Sequence, residues 1–114
     1  MDMSNEVTLC ASNAYNKKFY LNENFQGLPE AIKEELQIMC VLYTEDVGGV
    51  LELVFDEDEN LEFRTSYEET DYFYDEIGSV LKIKQYQNVK RELLESIETY
   101  YRIVFLGEGL DGEE

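Results

Sequence analysis

The chain has no histidine and no tryptophan, one proline, two cysteines, and nine Lys and Arg residues against 26 Asp and Glu. Each shortage excludes a class of chemistry. Without histidine there is no imidazole general base, no Ser-His-Asp triad and no histidine metal ligand. Cys10 and Cys40 stand far apart with no CxxC spacing, which argues against a zinc site or a disulfide framework and for reduced thiols in a cytoplasm. Basic residues are too few to neutralise a phosphate backbone, so direct nucleic-acid binding is not expected. A formal charge of −17 is repelled by anionic membrane surfaces. The longest strongly apolar run, residues 38–43, falls far short of the roughly 20 residues that span a bilayer. The N-terminal MDMSNEVTLC lacks the basic segment and apolar core of a secretory signal. Gly48-Gly49 and the Gly107/Gly109/Gly112 set lack the context of a Walker or Rossmann loop. No cofactor and no catalytic residue is expected from any of these patterns.

What is present is enough for a core. At 114 residues, 44% hydrophobic and 13% aromatic, residues 1–114 read as one folded domain rather than a disordered chain. Its end, residues 107–114, is expected to fray. From residue 4 to 15, Val7, Cys10, Ala11 and Ala14 fit one face of a helix. Phe19 and Leu21 flank Tyr20 as a short strand before the Asn22-Glu23-Asn24 turn. Pro29 suits a first helical turn, and Ile32, Leu36, Met39, Cys40 and Tyr43 continue at helical spacing towards Gly48. Residues 38–43 alone also fit a buried strand, because a short apolar run has no decisive period. Residues 50–55 and 61–66 alternate apolar with polar around an acidic turn, the clearest hairpin in the chain. Ile77, Val80, Leu81 and Lys84 suggest a helix with Asp75 as N-cap. Val89, Leu93, Ile97, Tyr100, Tyr101, Val104 and Phe105 mark a last amphipathic helix ending at Gly107, its aromatics belonging to the core. The expected fold is α+β, a small antiparallel sheet built on the hairpin and covered by three to four helices.

The charge is unevenly spread. Residues 45–76 hold thirteen Asp or Glu and one basic residue, Arg64. Within this belt, Asp56, Asp58 and Asn60 begin like an EF-hand loop, but Leu61 stands where the turn glycine is needed and Tyr67 where the bidentate Glu is needed. A solvated hairpin turn is the reading that remains. Glu45 and Asp46 fall at the end of the second predicted helix, where the helix dipole disfavours anions. Lys90 and Arg91 carry the mirror-image fault if the last helix begins at Asn88. An earlier start, with Asp75 and Glu76 at its N-terminus, removes it. Alternatively the belt pairs with the Lys82/Lys84/Lys90/Arg91 cluster, within one chain or across a homodimer. Residues 67–76 interleave Tyr67, Tyr72, Phe73 and Tyr74 with Glu68, Glu69, Asp71, Asp75 and Glu76. Such a strip either folds its aromatics under a loop or docks a basic protein surface. The partner-binding candidates are Glu45, Asp46, Glu68, Glu69, Asp71, Tyr72, Phe73, Tyr74, Asp75 and Glu76.

Two stretches, PEAIKEELQIMCVLYTEDVGGVLELVF and DEIGSVLKIKQYQNVKRELLESIETYYRIVFLGE, resemble an uncharacterised family of short acidic proteins from Gram-positive anaerobic bacteria. The likeness covers residues 9–108. It implies a bacterial, cytoplasmic protein and brings no functional residues with it. Three functions fit the sequence: a non-enzymatic interaction or regulatory module that binds a basic protein surface, a nucleic-acid mimic that blocks a DNA-binding protein, and a carboxylate-based, cation-dependent enzyme. The mimic needs acids spaced along one face. The enzyme needs them to converge in a pocket.

Overall fold

The hairpin forms one side of a larger sheet. A computed structural model describes residues 5–107. The chain runs through β1 (Val7–Asn13), β2 (Lys18–Leu21), α1 (Glu30–Val47), β3 (Val50–Phe55), β4 (Leu61–Ser66), α2 (Glu76–Val89) and α3 (Arg91–Tyr100). A 3₁₀ turn at Glu23–Phe25 precedes α1, and a π-helical turn at Tyr101–Phe105 follows α3. The four strands form one antiparallel sheet in the order β2-β1-β3-β4. The fold is α+β.

The predicted helix over residues 4–15 is corrected: residues 7–13 are strand β1, and residue 4 lies outside the described residues. The cause is a β-bulge. Val7 pairs with Phe55 and Thr8 with Val54, but the register then shifts so that Cys10 pairs with Leu53 and Ser12 with Leu51. The extra residue, Leu9, puts Leu9 and Cys10 both in the core. Before the bulge odd-numbered positions point inward, and after it even-numbered ones do. That change of parity creates an i, i+3 apolar spacing that imitates a helix.

Helix α1 forms as its spacing predicts, and residues 38–43 are helical within it. Pro29 occupies the capping position, and Gly48 ends the helix at φ 95°. Leu36, Met39, Cys40, Tyr43, Thr44 and Val47 make its buried face. In α2 the sequence pattern misleads. Ile77, Val80 and Leu81 are exposed, while Ser79 is buried and Ile83 and Tyr86 pack on the core. The side chain of Asp75 accepts a hydrogen bond from Gly78 N at 2.9 Å, as an N-cap should. Lys90, at φ −100° and ψ 23°, then breaks the helical path into two. The last helix therefore starts at Arg91, later than either expected start, and Asp75 and Glu76 belong to the preceding helix α2. Lys90 caps both helices: it meets the favourable C-terminal end of α2 but, with Arg91, also stands at the unfavourable N-terminus of α3.

The helices cover one face of the sheet. At its centre the ring of Phe25 stacks on Phe55, Tyr101 and Phe105, with Tyr100 tilted beside it. Both sulfurs of Cys10 and Cys40 lie in this core, 3.9 Å apart. On the uncovered face, Arg64 of β4 reaches Glu6 through two hydrogen bonds of 2.9 and 2.6 Å. Because β3 lies between these strands, the pair bridges over it, and the outward-facing Val54 is only 4% exposed.

Candidate functional site

Apart from Glu52 and Glu62 on the strands themselves, the acidic belt divides between the two ends of the hairpin, separated by the roughly 20 Å length of a six-residue strand. At one end Asp56, Glu57, Asp58 and Glu59 form the turn. The Asp56 carboxylate accepts Asp58 N at 2.8 Å and Asn60 N at 2.9 Å. These backbone donors, Asn60 foremost, hold its pKa below the usual carboxylate value. This is an Asx-stabilised turn. Among the described residues no three Cys, Asp or Glu side chains come together as a metal site requires.

The other end collects the partner-binding candidates. Glu45 and Asp46 lie in the last turn of α1, at the negative end of its dipole. Asp46 is paired with Lys82 of α2 at 3.0 Å. Lys90 pairs with Glu35 at 3.1 Å, not with Glu45. The two bridges show that α1 and α2 run antiparallel.

Residues 67–76 are anchored by their own polar groups. Tyr15, in the β1–β2 turn, donates its hydroxyl proton to Asp71 at 2.6 Å and accepts Glu68 N at 3.0 Å. Asp71 also accepts Phe73 N at 3.1 Å. Asp75 N donates to Val47 O at 3.2 Å, tying the loop to the end of α1. Tyr67 donates to Glu76 and its ring stacks on Tyr74 at 4.2 Å. The Tyr74 hydroxyl lies 3.3 Å from that of Tyr43 and donates to Ser79 Oγ at 3.1 Å, while Tyr43 and Ser79 Oγ share a 2.6 Å hydrogen bond.

The aromatics of the strip point both ways. Tyr74 turns inward and packs against the core. Tyr72 and Phe73 turn outward and are 87% and 95% exposed. Asp71, Asp75 and Glu76 are committed to holding the loop. Glu68 and Glu69 have carboxylates with no ion-pair partner among the described residues. Beside the loop, exposed Ile77 and Leu81 stand one helical turn apart on α2. The sequence reading missed these two as surface residues, since apolar spacing alone does not say which helix face is covered. It also missed Tyr15, which no local pattern connects to Asp71, 56 residues away.

These tyrosines predict alkaline lability. Burial raises the Tyr43 pKa far above its usual value, and the Glu76 carboxylate raises that of Tyr67. A tyrosine held neutral in the folded state binds a proton that the unfolded state has lost. Its contribution is complete below pH ~10 and is lost as pH rises through the folded value. Stability should fall above pH ~10 by up to about 1.4 kcal/mol per pH unit for Tyr43. Urea unfolding between pH 8 and 11.5 measures this, and Tyr43→Phe should flatten the slope.

No described helix is long and apolar enough to cross a membrane. No curated protein and no solved structure matches the chain. Residues 6–109, which include the sheet, the helices and the anchored acidic loop, match the Family of unknown function (DUF6145), and the chain belongs to that family.

Proposed function

We propose that this protein is a non-enzymatic interaction module whose 67–76 loop docks a basic protein segment. One observation carries the reading: Tyr72 and Phe73 project almost fully into solvent from a loop held in place by Tyr67, Asp71, Tyr74, Asp75 and Glu76. Two bare aromatics on a pre-formed support supply contact area at small entropic cost. The unpaired Glu68 and Glu69 select a partner rich in Lys or Arg, and Ile77 and Leu81 extend the apolar footing along α2. We place the module in a bacterial cytoplasm on the sequence resemblance. A nucleic-acid mimic is the weaker reading, because its carboxylates would have to follow one face, and here eleven of the thirteen in the belt gather at opposite ends of a strand pair.

The test compares the wild type with Tyr72→Ser/Phe73→Ser and with Glu68→Gln/Glu69→Gln as baits for native lysate, at low and high salt. Both variants should keep the wild-type melting temperature, since none of the four side chains is buried. Specific partners should bind about 30-fold more weakly to the aromatic variant. Binding should also weaken with salt for the wild type, and less steeply for the Gln variant. If wild type and aromatic variant capture the same proteins equally, the loop is not the docking surface.

A further inference from the structure

A second feature lies on the opposite flank of α1, apart from the docking loop. A cleft of about 590 Å³ opens between the β1–β2 turn and the C-terminal half of α1. Its size falls within the ~300–1,000 Å³ of small-molecule sites. Lys17 and Lys18 stand on one side, and Gln37 and Glu45 of α1 on the other, with Phe19 and Val41 as the apolar part of the lining.

In a chain with 26 acidic residues, lysines are expected to find carboxylate partners. Of the other four lysines, Lys33, Lys82 and Lys90 do so, and Lys84 does not among the described residues. Lys17 and Lys18 form no ion pair among the described residues, although both line the same cleft. Lys17 moreover holds a left-handed backbone, φ 57°, a conformation unfavourable for a non-glycine residue. Two uncommitted cations therefore meet at the turn. The opposite sign gathers at the α1 side, where Glu45 adds its carboxylate to the negative end of the helix dipole.

Proton accounting adds an acceptor to the wall. Ser12 Oγ and Thr44 Oγ1 share a 2.8 Å hydrogen bond that either hydroxyl can donate, and Thr44 Oγ1 also lies 3.1 Å from Val41 O and 3.3 Å from Cys40 O. Whichever of the two donates, Ser12 Oγ keeps at least one lone pair with which to accept. A cleft with cations at one side, an anion and a hydroxyl acceptor at the other, and apolar surface between them matches a small zwitterion.

We infer that this cleft binds a free α-amino acid with an apolar side chain: its carboxylate on Lys17 and Lys18, its ammonium on Glu45 and Ser12, its side chain over Phe19 and Val41. Isothermal titration of the full chain with L-leucine and L-phenylalanine tests this. Each is compared with the acid lacking the amine (4-methylpentanoate, 3-phenylpropionate) and the amine lacking the carboxylate (isopentylamine, phenethylamine). An amino acid should bind at least about tenfold more tightly than either analogue, the loss of one charged hydrogen bond being worth that much. Lys17→Ala/Lys18→Ala should weaken the amino acid by a similar factor without changing the melting temperature. Glu45→Gln should weaken the amino acid but not the deaminated acid. No heat and no thermal shift with either amino acid at about 10 mM, where even millimolar affinity would register, overturns the assignment. So does equal binding of the deaminated acid, or wild-type affinity in the lysine variant.

Discussion

Replacing Phe25 with Ala should lower the unfolding free energy by about 3–5 kcal/mol. The ring is fully buried and stacks at 5.6 Å on Phe55, 6.2 Å on Tyr101 and 5.2 Å on Phe105. These partners come from the sheet and from the end of the last helix, while Phe25 itself sits on the short turn before α1. One side chain thus joins three parts of the chain that are distant in sequence. Its loss removes apolar burial and leaves a cavity that rigid rings cannot collapse to fill. Domains of this size have only about 5–15 kcal/mol in total, so the variant should be marginal. In urea its midpoint should fall by about 2 M, given a slope of about 1–3 kcal/mol per M. Tyr20→Ala, on the exposed outer face of the sheet, should stay within about 0.5 kcal/mol of wild type. A Phe25 variant as stable as the Tyr20 variant would mean that the aromatic cluster does not hold the C-terminal helices to the sheet.

The second large effect is expected at Gly49, between α1 and β3. Its φ of 70° favours glycine, and a Cβ there would lie 2.6 Å from Ser66 O and 2.7 Å from the Tyr74 ring. The carbonyl is fixed because Ser66 pairs with Val50 at the end of the hairpin. Gly49→Ala should therefore cost about 2–4 kcal/mol, about 1–2 from the left-handed backbone and the rest from overpacking. Gly107→Ala separates the two terms. Gly107 has a similar φ of 75° with no atom within 4 Å of the added Cβ, so only the backbone cost of about 1–2 kcal/mol should appear. Since Tyr74 must move in the Gly49 variant, the loop carrying Tyr72 and Phe73 should lose its pose. Near-ultraviolet circular dichroism of the tyrosines reports that change, and a spectrum identical to wild type would show that Tyr74 does not depend on Gly49.

The parts legible in the sequence are those governed by local physics. Val50–Phe55 and Leu61–Ser66 were readable as a hairpin because their alternation matches the pleat without interruption. Asp75 was readable as a cap, and Pro29 and Gly48 as helix boundaries, because each acts on backbone groups within a few residues. β1 was not readable. A bulge is a property of two paired strands, and the parity change it makes around Leu9 has no meaning in one strand alone. The exposure of Ile77 and Leu81 was hidden for a similar reason: α2 buries the face that happens to meet α1.

The same division runs through the acidic belt. Its sign and extent, the absence of imidazole chemistry and the failure of the EF-hand likeness follow from residue types and spacing alone. Charge and side-chain chemistry are additive along a chain and need no fold. Which carboxylates are committed and which are free is a long-range matter. Tyr15 reaches across 56 residues to Asp71, Lys82 takes Asp46, and Lys90 takes Glu35 instead of Glu45. Only tertiary packing decides such pairings, because they depend on which surfaces the sheet and helices bring within hydrogen-bond reach. It is packing, too, that turns Tyr74 inward while leaving Tyr72 and Phe73 in solvent. That narrows a belt of 32 residues to one anchored loop tip.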